Sequence, residues 1–271
     1  MYLTRHQYDQ NQRWALDGYL LPGEFSLKLL LQLPKDSIVN FLKSLQTKET
    51  ANDSFLAPIE SDQEVWAAGV TYALSRDARE AETEIKDVYT KVYNAKRPEL
   101  FFKSIGWRTV GNNDNIRIRK DTTWNVPESE LTLIINNKSE IIGYCVGNDV
   151  SSRDIEGENP LYLPQAKMYN GSCSIGPGIL IADAKELNNL KIDIIILRNE
   201  EKAFEGNTNT SQIKRPLTEL VNYLTREMSF PQGVFLMTGT GIIPSDNFTL
   251  KKGDLVRITV GSLMLENIVE E

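Results

Sequence analysis

The 271-residue sequence contains one histidine, His6, and two cysteines, Cys145 and Cys173. A single histidine near the N-terminus argues against a Ser-His-Asp triad, a Cys-His pair or a histidine-rich zinc site. The two cysteines form no CxxC or zinc-binding pattern, which is typical of reduced thiols in a cytoplasmic protein. Any catalytic chemistry is therefore expected to come from carboxylates, lysines and hydroxyl groups.

Long hydrophobic runs are also absent. Apolar runs such as Leu29–Leu31 and Leu133–Ile135 fall far below the roughly 18 residues of a membrane span. The N-terminal residues lack the apolar core of a signal peptide. With 30 basic and 37 acidic residues, the net charge is −7, which disfavours binding to phosphate backbones and anionic lipids. The sequence therefore predicts a cytoplasmic protein that binds neither nucleic acid nor membranes.

The composition that remains is that of a globular protein, with 41% hydrophobic and 25% charged residues, which excludes disorder. A change of character near residue 62 predicts a small N-terminal α+β domain, 1–62, and a larger catalytic domain, 63–271. Within the first domain, interrupted leucines at 20–33 predict short strands and turns. Residues 36–45 predict a helix, and the polar stretch 46–61 predicts a linker.

The larger domain combines two helices with many strands. Apolar residues at helical spacing from Ala78 to Val92 predict a helix that ends near Arg97-Pro98, and residues 217–224 predict another. Strand signals occur at residues 100–102, 116–118, 131–135, 141–146, 192–197, 234–237 and 255–260. Many short strands with few helices predict a β-rich α+β fold.

Three acidic residues stand close to the ends of two of these strands. Glu128 and Glu130 are two residues apart and so share one face, while Asp149 follows strand 141–146 after a hairpin-like turn at 136–138. If the strands are neighbours, the carboxylates converge and repel one another by about 3 kcal/mol per pair at ~6 Å. An all-oxygen cluster of this kind favours Mg²⁺, with Mn²⁺ or Ca²⁺ as alternatives. The competing interpretation is a solvent-exposed strand face.

Five segments of the larger domain resemble the fumarylacetoacetate hydrolase superfamily, in the order and at the spacing of that family. They are Glu99–Lys103, Val126–Glu130, Asn148–Asp154, Thr238–Thr240 and Leu250–Asp254. The resemblance implies a mixed β-roll and a homodimer or dimer of dimers. It also implies Mg²⁺ held by Glu128, Glu130 and Asp149, with a small-molecule 2-keto acid substrate bound to the metal.

Two segments, Arg97–Lys103 and Glu158–Lys167, resemble the branch of this superfamily that dehydrates 2-keto-3-deoxy sugar acids. The hydrolases of the superfamily carry a His-Glu pair after a Gly-x-Asn-Tyr motif, whereas segment 69–76 places Ser75 where the histidine would be. Serine is a far poorer base at neutral pH. The sequence therefore favours a metal-dependent hydro-lyase over an acylpyruvate-type C–C hydrolase or an oxaloacetate decarboxylase. A non-catalytic binding protein is a third hypothesis.

The resemblance also assigns roles near the metal. It places Lys167 beside the ion, where burial next to a dication favours the neutral amine that a general base requires. Protonated Lys167 or Glu156 is predicted to protonate the leaving hydroxyl group. Arg153 is predicted to orient Asp149 or to bind the substrate carboxylate, and an ion pair with Asp154 or Glu156 is the alternative.

Four further side chains are predicted to contact the substrate. Thr240 follows a glycine that allows close approach of an anion, and it is expected to bind the carboxylate. Tyr72 and Tyr162 are expected to bond sugar hydroxyl groups, and Lys103 is expected to face the site. The alternatives are an ordinary turn for Thr240 and half-buried core positions for the tyrosines.

Overall fold

A computed structural model describes residues 1–8, 10–75 and 88–271. Its strands are β1 (Tyr2–Tyr8), β2 (Asn11–Leu16), β3 (Tyr19–Leu20), β4 (Phe55–Leu56), β5 (Glu64–Gly69), β6 (Glu99–Ile105), β7 (Asn115–Arg117), β8 (Asn125–Val126), β9 (Ser129–Ile135), β10 (Ile141–Asp149), β11 (Ser151–Ser152), β12 (Cys173–Ile181), β13 (Lys191–Arg198), β14 (Glu201–Asn209), β15 (Val234–Met237), β16 (Leu255–Val260) and β17 (Leu263–Glu270). Its α-helices are α1 (Leu27–Leu30), α2 (Lys35–Ser44), α3 (Val88–Asn94), α4 (Arg153–Glu158), α5 (Leu163–Lys167) and α6 (Leu217–Leu224).

Two mixed sheets form the framework. The larger sheet has ten described strands in the order β3-β2-β1-β12-β10-β9-β15-β5-β6, with β4 paired to β1. The smaller sheet has the order β14-β13-β16-β17-β7. Most neighbours are antiparallel, and the parallel pairs are β15 with β5 and β17 with β7. The predicted β-rich α+β fold is therefore confirmed.

The larger sheet separates two hydrophobic cores, because side chains alternate between its faces. On β9, Leu131 and Leu133 belong to the core shared with the smaller sheet. Ile134 of the same strand belongs to the other core, together with Leu30 of α1 and Leu42 of α2. Burial of both faces explains why β9 and β10 read as nearly continuous apolar runs.

The N-terminal segment supplies one layer of this arrangement. Its strand β1 pairs with β12 of the larger sheet, so residues 1–62 share both a sheet and a core with the rest of the chain. The boundary at residue 62 stays a prediction. The helix predicted at 36–45 is confirmed as α2.

Two expectations for the N-terminal segment are wrong. Residues 27–30 form the short helix α1 instead of a strand, because Leu27 and Leu30 share a buried helical face and the Ser26 hydroxyl caps the Leu29 N–H. The stretch 46–61 contains strand β4, which pairs with β1, instead of serving as a linker throughout.

The seven strand segments and the second helix predicted for the larger domain are confirmed. The first predicted helix falls mostly on residues 76–87, which lie outside the described ranges. Its C-terminal part is α3, which ends at Asn94, three residues before Arg97. Among the described residues, no helix has the length and apolar character needed to cross a membrane.

The two cysteines provide a test of the packing around the central strands. Cys145 on β10 and Cys173 on β12 are both buried, and burial raises the pKa of both thiols, that of Cys173 to about 12. Because the thiolate is the reactive form, we expect native protein to react with a disulfide reagent at least about a thousand times more slowly than a free cysteine. In denaturant, both thiols should react at once. A thiol that reacts rapidly in the native protein would contradict the packing described.

Candidate active site

The register of β9 and β10 brings the three predicted acids together. Gly147 of β10 lies opposite Glu130, and the Asp149 N–H donates to the Glu128 carbonyl oxygen at 3.0 Å. Glu128, Glu130 and Asp149 are only 4%, 1% and 1% exposed. One carboxylate oxygen of each lies within 4.8 Å of those of the other two. This burial excludes the solvent-exposed strand face that was the competing interpretation.

Two lysines share the acidic cluster. Lys167, the last residue of α5, donates from its Nζ to Glu128 Oε2 at 2.8 Å, to Asp149 Oδ2 at 3.0 Å and to Ser151 Oγ at 2.6 Å. Lys103 of β6 is fully buried, and its Nζ lies 2.5 Å from Asp149 Oδ1. Lys103 also donates to backbone carbonyl groups of Val150 and Lys167. Two lysine ammonium groups therefore lie against the acids and compensate part of their charge.

Arg153 links the cluster to a further acid. It is the first residue of α4, and its Nη2 lies 3.1 Å from Glu128 Oε1 while its Nη1 lies 3.4 Å from Glu156 Oε2. Of the alternatives predicted for Arg153, the ion pair with Glu156 is present. Asp154 instead accepts from the Thr123 N–H at 2.7 Å, so it anchors the loop before β8.

The electrostatic environment differs among the acids. The Gly239 N–H donates to Glu130 Oε2 at 2.5 Å, but burial and the nearby Asp149 and Glu128 carboxylates raise the pKa of Glu130 well above its usual value. Burial also pushes the pKa of Asp149 upward. There, however, the two neighbouring lysine ammonium groups outweigh burial, and the pKa falls below its usual value. Without a further cation, the ionised form of Glu130 is therefore disfavoured, whereas that of Asp149 is favoured.

The donor set fits a hard divalent cation. It consists of carboxylate oxygens alone, it is buried, and a cation would relieve the repulsion that raises the pKa of Glu130. Mg²⁺ prefers oxygen ligands at about 2.0–2.1 Å and keeps several of its water molecules, which leaves positions for a substrate. Glu128, Glu130 and Asp149 are the residues that would hold it.

A small cavity opens beside the acidic cluster. Five of the predicted site residues line it: Glu128, Asp149, Glu156, Lys167 and Thr240. The Thr240 hydroxyl accepts from the Ile242 N–H at 3.2 Å, which fixes the turn after β15. Ser75, at the position where the hydrolases carry histidine, also lines the cavity, and it donates to the Tyr72 carbonyl oxygen at 2.8 Å.

The other five predicted residues, Glu130, Arg153, Lys103, Tyr72 and Tyr162, are not among the residues that line the cavity. Lys103 contacts Asp149 from inside the protein. Tyr72 is buried against Gly241, and no described residue provides a hydrogen-bond partner for its hydroxyl group. Burial and the neighbouring Glu130 raise the pKa of Tyr72. Tyr162 is 38% exposed on the 3-10 helix Pro160–Tyr162, next to α5.

Glu99 and Phe101 are side chains on the cavity wall that the sequence did not predict as site residues. Glu99 begins β6 opposite Gly69 of β5, and Phe101 follows it with its ring centre 5.8 Å from Lys167 Nζ. In the sequence both belong to the segment Glu99–Lys103, which carries the family resemblance. Period-two spacing on β6 would have indicated them, because Glu99, Phe101 and Lys103 share one face of that strand.

Residues 64–270 match the family model described as fumarylacetoacetate (FAA) hydrolase C-terminal. The chain belongs to the fumarylacetoacetate hydrolase family. The family resemblance predicted from the sequence is thereby confirmed. The matched residues contain the strands of both sheets except β1 to β4. The family match therefore covers most of the strand-rich fold.

Within the family, the chain is similar to two archaeal dehydratases. It is 45% identical over 218 residues to a probable 2-keto-3-deoxyxylonate dehydratase of Haloferax volcanii, covering 78% of this chain and 75% of that protein. It is 39% identical over 229 residues to the 2-dehydro-3-deoxy-D-arabinonate dehydratase of Saccharolobus solfataricus, covering 83% and 76%. A solved structure of 2-keto-3-deoxy-D-arabinonate dehydratase complexed with magnesium and 2,5-dioxopentanoate matches with a TM-score of 0.84 and 34% identity, covering 100% of this chain and 99% of that one.

Proposed function

We propose that this protein is a Mg²⁺-dependent hydro-lyase that removes water from a 2-keto-3-deoxy sugar acid. The observation that carries the proposal is the buried cluster of Glu128, Glu130 and Asp149, with Lys167 on the wall of the adjoining cavity. The dehydratase names of two relatives and a solved dehydratase structure with bound magnesium support the same reaction. An example is 2-keto-3-deoxy-D-arabinonate, whose dehydrated product is 2,5-dioxopentanoate.

The bound ion, held by Glu128, Glu130 and Asp149, would polarise the substrate ketone and stabilise the charge left by loss of a C3 proton, which is worth several kcal/mol. Thr240 lines the cavity, and its hydroxyl is proposed to contact the substrate carboxylate. Arg153 and Lys103 do not line the cavity. We therefore assign them the positioning of Glu128 and Asp149, which they contact directly.

Lys167 is proposed to exchange the C3 proton. Its Nζ lies on the cavity wall and is hydrogen-bonded to two of the carboxylates. Once the C3 proton has moved to a base, the C4–O bond breaks, the hydroxyl group takes up a proton and leaves as water, and a C3–C4 double bond forms. For a five-carbon substrate, loss of a C5 proton and gain of one at C3 then gives the C4–C5 enol. Transfer of the enol hydroxyl proton to C4 yields the aldehyde at C5.

Three side chains on the cavity wall are candidate acids for protonating the leaving hydroxyl group: Lys167, Glu156 and Glu99. Glu156 is ion-paired with Arg153, whereas Glu99 lies on β6 beside Gly69. Tyr72 and Tyr162 stay predicted contacts of the sugar hydroxyl groups. For Tyr72 the support is its buried hydroxyl group, which lacks a hydrogen-bond partner among the described residues.

The wider biological setting is also proposed from the sequence. We propose that the protein works in the cytoplasm as a homodimer or a dimer of dimers, and that Mn²⁺ or Ca²⁺ can replace Mg²⁺ in binding. Sedimentation of the purified protein with each ion would test the assembly.

Chelation and a substrate comparison test the proposed reaction. We expect EDTA-treated protein to lose turnover of a 2-keto-3-deoxy aldonate and to regain it with Mg²⁺, because the acidic cluster otherwise has no ion to act on the ketone. Release of the dehydrated product is followed directly by chromatography. Full activity of the chelated protein would contradict the metal mechanism.

The same assay separates the alternatives. An acylpyruvate and oxaloacetate, offered in parallel, should be consumed much more slowly than the sugar acid, because Ser75 cannot replace a histidine base. Rapid consumption of either one instead would favour the hydrolase or decarboxylase hypothesis. If no substrate reacts and bound pyruvate exchanges none of its C3 protons with D₂O, the protein is a binding protein.

A further inference from the structure

Gly69 differs from most other closely packed glycines in what surrounds it. A Cβ atom built on Gly106 or Gly143 would meet a backbone carbonyl oxygen, which is a constraint of the fold. A Cβ atom on Gly69 would instead meet the carboxylate of Glu99: it would lie 2.6 Å from Cδ and overlap Oε2. All three of its nearest atoms belong to that carboxylate.

The position of this pair gives the contact a functional meaning. Gly69 ends β5, Glu99 begins β6, and the two residues are directly opposite each other in the antiparallel register. Both line the cavity that Lys167, Glu128 and Asp149 also line. Directly opposed residues on one sheet face normally have Cβ atoms about 5 Å apart, so side chains compete for the space between them. Because Gly69 has no side chain, the Glu99 carboxylate occupies that space.

We propose that Gly69 is a positioning residue: its missing side chain allows the Glu99 carboxylate to lie over β5, at the cavity wall. The inference rests on the proposed function and assigns Glu99 the delivery of the proton to the leaving hydroxyl group. The backbone of Gly69 is not in the left-handed region that favours glycine, so alanine is compatible with the local chain. The constraint at this position is therefore the carboxylate, and a methyl group must displace it.

A double-mutant cycle tests the pair. Gly69→Ala should lower kcat by about a hundred-fold with little change in KM, since a displacement of about 1 Å in a catalytic group has an effect of that size. Glu99→Asp, which shortens the acid by one methylene, should cause a similar loss. In the double variant, the shorter acid leaves room for the methyl group, so kcat should fall no further than in Glu99→Asp alone. Independent effects would instead multiply to a loss of about ten-thousand-fold.

The matched control is Gly23→Ala, because no atom lies within 4 Å of a Cβ built there and the residue is exposed. It should retain wild-type kcat and melting temperature. A crystal structure of Gly69→Ala provides a readout besides activity: the Glu99 carboxylate should have moved away from residue 69 while β5 and β6 keep their register.

Two outcomes would overturn the inference. One is multiplicative loss in the double variant with an unmoved Glu99 carboxylate. The other is failure of both Gly69→Ala and the double variant to fold. That result would mean that the glycine is required for β5 to form and not for the position of the Glu99 carboxylate. If wild-type protein turns over a different 2-keto acid, the cycle is run with that substrate, so failure of the proposed reaction remains distinguishable from failure of the positioning role.

Discussion

Glu130→Gln is expected to lower kcat/KM for the sugar acid by about a thousand-fold or more at saturating Mg²⁺. The amide keeps the shape of the side chain and can still accept from the Gly239 N–H, but it removes one charged ligand from the cluster. Lewis-acid stabilisation of several kcal/mol corresponds to a rate factor of this size, because each 1.36 kcal/mol is tenfold. Steady-state kinetics over a range of Mg²⁺ concentrations measures the loss.

The stability of the metal-free protein should change in the opposite direction. The folded state raises the pKa of Glu130, so its ionised form destabilises the fold at neutral pH, and a neutral glutamine removes that cost. We therefore expect metal-free Glu130→Gln to melt at or above the wild-type temperature. Mg²⁺ should raise the melting temperature of the wild type and not that of the variant.

Glu201→Gln on the exposed strand β14 is the matched control, and it should leave both activity and melting unchanged. A Glu130→Gln protein that binds Mg²⁺ and turns over substrate like the wild type would remove Glu130 from the metal site.

Lys167→Met is expected to lower kcat by about a hundred-fold to ten-thousand-fold, the usual range for loss of a general base. Methionine replaces the buried stem but donates no hydrogen bond to Glu128, Asp149 or Ser151. Exchange of the substrate C3 protons with D₂O, followed by NMR, should fall in parallel with turnover, because the same group is proposed to move that proton.

Lys167→Arg separates the charge of this residue from its basicity. Arginine keeps a positive charge beside the two carboxylates but does not become neutral at working pH, so it cannot accept the proton. We expect it to fold better than Lys167→Met and to be equally defective in C3 exchange. Lys252→Met, in the exposed turn before β16, is the control for loss of a lysine. Wild-type C3 exchange in both Lys167 variants would assign the base to another group.

Some parts of the site could be predicted from the sequence because they depend on local spacing. Glu128 and Glu130 share a face because side chains alternate along an extended chain, and Asp149 joins them because a short turn makes β9 and β10 neighbours. Lys167 was assigned from a resemblance, and its contacts with Glu128 and Asp149 agree with a place beside the metal. By contrast, the short helix α1 was missed because four residues give too little periodicity to distinguish a helix from a strand.

Contacts between distant segments could not be predicted in this way. Lys103 and Asp149 lie on strands four positions apart in the larger sheet, and only the tertiary fold brings their charges together. The distance between Gly69 and the Glu99 carboxylate follows from the β5–β6 register, which a single sequence does not reveal.

The sequence by itself indicated the kind of chemistry, because one histidine argues against histidine-based catalysis and the resemblance to the fumarylacetoacetate hydrolase family implies an oxygen-ligated metal. It also determined most of the strands, because segments buried on both faces must be apolar throughout. Only the tertiary structure decided how the charge of the acids is balanced and which acids reach the cavity. The physical reason is that electrostatic energy depends on distances between atoms, and for residues far apart in the chain those distances are set by the packing of the whole sheet.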